Sequence, residues 1–424
     1  MAKALYICYF GVRQPLVQTQ VLPYLRELLK EGHGIALLTF EPSEGEGETE
    51  FAAIREKLAG EGLEWHCLPY HKWPSAIATA YDIIRGAWFI HRMIGKEEID
   101  ILHGRVHVPT LMGAIARKFS RRKPKLLFDI RGFFPEEYTD AGIWPEDGIL
   151  YRVVKRIEKW LMKAADGFVV LTEKARVIVF PKSESAVNQA ENPSAYAGGS
   201  DLFGRPVEVI PCCVDFEERF AVDRDALRNR IRGELNIDGR FVFVHAGVLG
   251  GLYLTEQIAD FLQTARERDP KTFALFLTQS DPNLIVQPLL ERGFAESDYF
   301  AGKVSPAEIP GYLCAADAGL SFVKAGYATQ SRSPTKIPEY LACGLPIIAN
   351  PGVGDVDELI ATDRIGVFVK GFGSDNFNAA IDELNKLNAD PSLAGRCRQS
   401  ARKRFDLVNV GGSRYRNIYR RLSP

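Results

Sequence analysis

Short apolar runs and amphipathic stretches alternate along almost the whole chain. Residues 5–10 and 35–40 are apolar runs that read as buried strands, and residues 21–30 between them carry apolar positions at a helical period that stops before Gly32. A strand, a helix and a strand in that order open a doubly wound α/β sheet, in which ligands bind at the carboxyl ends of the strands. The alternation continues with a helical pattern over 73–94, strands over 99–102 and 126–130, a helix over 150–165, and strands over 167–171 and 207–210. It restarts at 241–246, with strands at 273–277, 299–304 and 318–322, a helix at 309–316, and a last helix at 413–422. Two stretches break the pattern. The acidic segment 41–50 and the Ser/Ala/Asn/Gly-rich segment 181–205 read as loops, the second as a flexible insertion. Two Rossmann-like domains are expected, residues 1–210 and 211–402, followed by a C-terminal segment, 403–424.

Composition narrows the class. A chain of 424 residues has room for two or three domains, and its 46% hydrophobic and 25% charged residues are those of a soluble globular protein. The net charge of −1 gives no general attraction to nucleic acid. The seven cysteines are scattered without CxxC or Cys/His metal spacing, so free thiols in a reducing compartment are expected. The apolar run at the N-terminus is too short to span a membrane and lacks the layout of a signal peptide, so a cytoplasmic protein is expected. The basic runs 117–125 and 396–421 read as solvated faces, with peripheral contact to the inner face of a membrane as the alternative. No GxGxxG follows the first strand, which argues against a dinucleotide-dependent oxidoreductase. Asp355 and Asp357 form a DVD sequence in a first helical turn, where the helix dipole favours acids, and no metal site is expected.

Chemistry concentrates in residues 331–350, SRSPTKIPEYLACGLPIIAN. Ser333 reads as an N-cap and Pro334 as the first helical position. A helix over 335–343 should follow, stopped by Gly344, then a buried strand over 345–349. The helix start offers backbone N–H groups and a positive dipole end to an anion, and Lys336 adds a full charge. Glu339, three residues on, shares nearly the same face. A cation for phosphate and a carboxylate for ribose hydroxyls suit a nucleotide diphosphate. The plainer reading leaves Lys336 and Glu339 as solvated residues of an ordinary helix–strand unit.

At this stretch the sequence resembles the family-4 retaining glycosyltransferases of the GT-B fold, in the branch with an SPTK-type donor motif. Glu339 matches the second of the family's two signature glutamates, and Ala342, Cys343, Gly344 and Pro346 match the run after it. Ser331 stands in place of the first glutamate, the one that contacts the donor sugar. The segments GVRQPLVQTQVLPYLRELLKEGH (11–33), LLFDIRGFFPEEYTDAGIW (126–144) and GVLGGLY (247–253) look like the same branch. Val248 and Tyr253 replace an arginine and a lysine that grip the diphosphate in most of the family, which shifts weight onto Lys336.

The resemblance implies a GT-B fold: two doubly wound Rossmann-like domains facing across a cleft, acceptor side first and donor side second, with the C-terminal helix returning to the first domain. It implies transfer of a hexose from a UDP- or GDP-linked sugar to a hydroxyl acceptor (a glycan, a lipid-linked sugar or a small molecule), as in polysaccharide biosynthesis, with no cofactor and no metal. Lys336 and Arg131 are the expected catalytic groups. Gly11, Gly247, Gly250, Ser331, Ser333, Thr335, Lys336 and Glu339 are the expected donor contacts, with Arg105, Asp129 and His103 as sugar or acceptor contacts. Several have ordinary alternatives: Gly11 as a turn residue, Asp129 and Arg131 as a structural ion pair, and His103 as a core histidine. Two other functions fit the same residues: a nucleotide-sugar 2-epimerase, and a catalytically silent nucleotide-sugar-binding protein.

Overall fold

The computed structural model describes residues 2–42, 48–181, 199–201 and 204–423. The chain divides into two compact units, Met1–Pro211 with Val408–Pro424, and Cys212–Leu407.

The first unit is built on β1 (Lys3–Ile7), β2 (Gly34–Pro42), β3 (Leu63–Tyr70), β4 (Ile101–Arg105), β5 (Lys125–Ile130), β6 (Gly167–Val170), β7 (Gly199–Ser200) and β8 (Pro206–Val209), in the order β3-β2-β1-β4-β5-β6-β8-β7. Seven strands run parallel and the two-residue β7 pairs antiparallel with β8. The strands are nearly continuous apolar runs because helices cover both faces of a parallel sheet. Leu5, Ile7, Leu102, Leu126 and Phe128 are all fully buried. The order reverses between β1 and β4, the switch point at which such sheets open a crevice for ligands.

The last helix, Ser413–Leu422, lies where the sequence pattern puts it and belongs to this first unit. Its Tyr415 and Tyr419 are buried. Asn417 donates to Glu208 of β8 at 2.5 Å, and Arg416 pairs with Glu27 at 2.8 Å. Arg420 reaches Glu31 at 3.2 Å. Arg416 is thus drawn into the unit, while Arg420 keeps a solvated side chain in a surface ion pair. The run 117–125 is likewise largely solvated, with Arg117 paired to Asp166 at 2.6 Å and Arg122 to Asp100 at 2.8 Å.

The second unit carries β9 (Phe241–Ala246), β10 (Thr272–Leu277), β11 (Tyr299–Gly302), β12 (Ala318–Ser321), β13 (Ile347–Ala349) and β14 (Gly366–Phe368). All are parallel, in the order β11-β10-β9-β12-β13-β14.

Several local expectations change. The segment 11–20 is not all loop: Pro15 starts a helical turn, Pro15–Gln20, ahead of the helix Leu22–Leu29. The acidic segment 41–50 gives its first two residues to β2 and its end to the helix Glu48–Gly60, while 43–47 lie outside the described residues. Most of the expected insertion 181–205 also lies outside them; its described end forms β7 and the turn into β8. Among the described residues no helix is long and apolar enough to cross a membrane.

One contact sets the second unit's geometry. A Cβ on Gly319 of β12 would lie 2.2 Å from the ring of Tyr340, which is fully buried. Gly319→Ala should therefore destabilise the protein by about 1–3 kcal/mol through overpacking. Gly395→Ala, inside the helix Leu393–Phe405 with nothing within 4 Å, should not destabilise the protein. Urea unfolding of the two variants measures the difference; equal midpoints would mean the ring moves aside freely.

Candidate functional site

The helix Lys336–Ala342 begins one residue later than the sequence suggests, and Ser333 does not cap it. Thr335 occupies the cap position without a side-chain hydrogen bond. Ser333 instead uses its Oγ to accept from the Cys212 amide at 3.1 Å, and Ser331 donates its hydroxyl to the Ala328 carbonyl at 2.7 Å. Both serines thus hold local backbone. Seven residues make a short helix with a correspondingly small dipole, which leaves the side-chain charge as the main attraction for an anion.

Lys336 is the unusual group here. Its side chain is buried and forms no ion pair among the described residues. Nζ lies 3.2 Å from Nε2 of His245 at the end of β9 and 4.3 Å from the ring centre of Tyr253. Burial lowers its pKa to about 7, against a small opposing pull from Glu339. Burial, with the neighbouring lysine, also holds His245 well below the ordinary imidazole value, so the ring is neutral at pH 7. Nε2 of His245 is also 3.2 Å from the Val248 carbonyl. One nitrogen cannot donate to that carbonyl and accept from an ammonium at once. The two contacts therefore belong to different tautomers of the neutral ring. His245 was not singled out as a site residue in the sequence; a lone polar residue in an apolar strand was the available signal.

Glu339 is mostly buried and is held by Arg219, Nη1 to Oε1 at 2.6 Å. Arg219 also donates to the Pro306 carbonyl at 3.1 Å. No motif pointed to Arg219, which comes from a separate stretch of chain.

The glycine loop after β9 has Gly247 at φ 121°, Gly250 at 76° and Gly251 at 64°, conformations that favour glycine. Much of its N–H capacity is already used. Gly247 donates to Leu277 at 2.8 Å, Leu249 to Ser280 Oγ at 3.1 Å and Gly250 to Thr255 Oγ1 at 3.0 Å. Gly250 is thus not an open phosphate donor. What Gly247 supplies is room, since a Cβ there would stand 3.5 Å from the Lys336 side chain.

In the first unit, the expected contacts Asp129, Arg131, Arg105 and His103 come together, but as a buried network. Arg131 Nε binds Asp129 at 2.9 Å, and its other end meets the Tyr415 hydroxyl. Tyr415 donates to Asp129 at 2.8 Å. His103 Nδ1 is 2.9 Å from the Tyr419 hydroxyl, and Arg105 donates to the Gln20 carbonyl at 3.3 Å. Burial alone would raise the Asp129 pKa; Arg131 and His103 outweigh it and hold the carboxyl below its usual range. The side chain of Arg131 is only 7% exposed. The network ties the last helix to β4 and β5, so the structural-pair reading of Asp129 and Arg131 describes what is seen. The signal missed in the sequence was Tyr415 and Tyr419, four residues apart on one helix face.

Gly11 is also explained locally. A Cβ there would lie 2.6 Å from the Glu41 carboxylate, which accepts from the Val12 amide at 2.8 Å. The close approach is to Glu41 of β2. The DVD acids are likewise occupied: Asp357 accepts the Gly352 amide at 2.9 Å. Among the described residues no cluster of three or more His, Cys, Asp or Glu could hold a metal.

Comparison with known proteins adds a family match over part of the chain and a fold. Residues 17–179 match the family described as Glycosyl transferase 4-like domain. No curated protein matches the chain at a significant level. Among solved structures the chain is similar to a glycosyltransferase from Rickettsia africae at 14% identity and TM-score 0.70, covering 99% of this chain and 98% of that one. It is similar to Anabaena HepE in complex with UDP and glucose at 16% identity and TM-score 0.67, covering 99% and 100%. It is also similar to sucrose-phosphate synthase from Thermosynechococcus elongatus at 14% identity and TM-score 0.72, covering 100% and 99%. The chain has the GT-B fold. The family match lies within the first unit, whereas Lys336 and Glu339 lie in the second.

The burial of Lys336 sets a pH dependence. Unfolded, the amine keeps its proton to about pH 10.5; folded, it releases it near 7. Between these values the unfolded state binds more protons, so raising the pH favours the folded state by up to about 1.4 kcal/mol per unit. Ligand-free wild type should therefore gain stability relative to Lys336→Met from pH 7 to 9 in parallel thermal melts. A constant difference over that range would show that the amine keeps its ordinary pKa.

Proposed function

We propose that the protein is a retaining glycosyltransferase that moves a hexose from a nucleotide-diphosphate sugar to a hydroxyl acceptor. The observation that carries the proposal is Lys336, a buried amine that forms no ion pair among the described residues, at the first position of a helix, as a site that receives an anion needs. The family match, the GT-B fold, and a structural neighbour in complex with UDP and glucose support the same reading.

On this reading the second unit takes the donor, UDP- or GDP-linked, and the first the acceptor. Lys336 binds the diphosphate and stabilises the charge that gathers on it as the bond from the anomeric carbon to the diphosphate oxygen breaks. The acceptor oxygen forms the new bond on the same face, and its proton passes to the departing diphosphate. Glu339, fixed at one oxygen by Arg219, accepts from ribose hydroxyls with the other. Lys336 takes up a proton when the diphosphate arrives, because the ligand's charge offsets the burial that lowers its pKa. The reaction needs no divalent metal, since Lys336 neutralises the diphosphate in its place, and a lipid-linked acceptor would bring the enzyme to a membrane surface. Arg131, engaged by Asp129 and Tyr415, organises the first unit and does not touch the leaving group.

Two experiments test the assignment. Lys336→Met should lower kcat by about 10²–10³ with saturating acceptor, while donor affinity changes much less. Turnover within about twofold of wild type would place the stabilising charge elsewhere. Glu339→Ala should weaken nucleotide binding by about 2–4 kcal/mol in calorimetry with an unchanged circular dichroism spectrum. Unchanged affinity would remove Glu339 from the site, and nucleotide binding without any transfer or donor hydrolysis would favour a silent binding protein.

A further inference from the structure

The helix Ser75–Lys96 of the first unit carries a face that nothing among the described residues covers. Ala78, Gly86, Ala87, Ile90, Met93 and Ile94 are its buried side. On the opposite side Ile77 is 70% exposed, Tyr81 53%, Ile84 70% and Trp88 59%, with Trp73 at 78% just before the helix. At about 100° per residue, Ile77, Tyr81, Ile84 and Trp88 fall within a wedge of roughly 60°. Five large apolar side chains thus form one line, with a tryptophan at each end. Monomeric soluble proteins leave single apolar residues in water, rarely such a row.

The charges around the row name its partner. The only acid in the helix, Asp82, is fully buried, where it accepts from Tyr9 at 2.6 Å and holds His71 at 2.6 Å. Lys72 and Arg92 are exposed beside the row, while Lys96, at the helix end, pairs with Glu97 at 3.1 Å. Arg92 lies over the Trp88 ring, 4.8 Å from its centre, a stacked pair that keeps the guanidinium at the edge of the apolar row. Tryptophan and tyrosine beside cations, on a helix long enough to lie flat but not apolar enough to cross, are the composition of an interfacial helix. In the basic runs 117–125 and 396–421 several arginines are engaged in ion pairs, and among the described residues no comparable apolar row lies beside them.

We propose that the face formed by Trp73, Ile77, Tyr81, Ile84 and Trp88, flanked by Lys72 and Arg92, docks the protein onto an anionic lipid surface. The apolar row sits at the level of the acyl–headgroup boundary and the cations meet the headgroup phosphates. This identifies the surface behind the peripheral location in the reading above, yet it stands on exposure and charge alone and does not require that the protein transfer a sugar.

The test is sedimentation with vesicles of phosphatidylglycerol and phosphatidylcholine, using the full chain. Wild type should co-sediment with the anionic vesicles and much less with pure phosphatidylcholine. Ile77→Glu combined with Ile84→Glu should lower the partition coefficient at least about tenfold, since it removes two apolar anchors and adds two like charges. Both positions are exposed, so melting temperature and nucleotide binding should not change; intact nucleotide binding keeps a failure here separate from a failure of the donor site. Lys72→Gln with Arg92→Gln should weaken binding to anionic vesicles while leaving the residual binding to neutral ones. Wild type that ignores anionic vesicles, or a glutamate variant that binds as well as wild type, would overturn the proposal. So would a dimer that the glutamate pair dissociates without any vesicle binding, which would make the row a contact between copies of the chain.

Discussion

The placement of Lys336 in the second unit rests on a ring laid against a glycine. Tyr340 packs where Gly319 leaves β12 bare, accepts the Ala246 amide at 2.8 Å and donates to the Leu320 carbonyl at 3.3 Å. One side chain thereby ties the helix Lys336–Ala342 to the ends of both β9 and β12. Lys336 precedes Tyr340 by four residues and so shares its buried side. The tyrosine that anchors the helix therefore also forces the lysine inward, against His245 and Tyr253. The low pKa of Lys336 follows from where a neighbouring residue needs to be.

The first unit depends on a different device, a charge buried with its partners. Asp129 has no exposure, and leaving such a carboxylate alone would cost several kcal/mol. Arg131, His103 and Tyr415 surround it, and Tyr415 comes from the far end of the chain. The polar groups that look most like catalytic machinery in the sequence are the ones that close this unit.

That explains what could and could not be read from residues alone. The fold was legible because parallel strands are buried on both faces and show as apolar runs; β9 and the helix Ser413–Leu422 have the bounds the pattern suggests. The segment 51–72 carried no such reading, because the helix Glu48–Gly60 has almost no apolar side and β3 alternates as an edge strand. Lys336 and Glu339 were legible as a motif, but their surroundings were not. His245, Tyr253 and Arg219 reach them from other stretches, and a sequence does not show which distant residues share a volume. The partners of Arg131 were hidden for the same reason: an arginine after a strand does not show that a tyrosine some 280 residues away meets it.

The second unit is an insertion in the first. The chain leaves the first unit after Pro211 and re-enters it at Val408. Just inside the second unit the outgoing and returning segments are stitched together: Val214 donates to Phe405 at 2.8 Å, and Leu407 donates to Val214 at 3.0 Å. The order of synthesis is therefore not the order of completion. On a ribosome the second unit has all its residues while Asp129 and Glu208 of the first still wait for Tyr415 and Asn417. The half of the protein made first is the half finished last, and two of its buried acids lack a partner until the final helix is made.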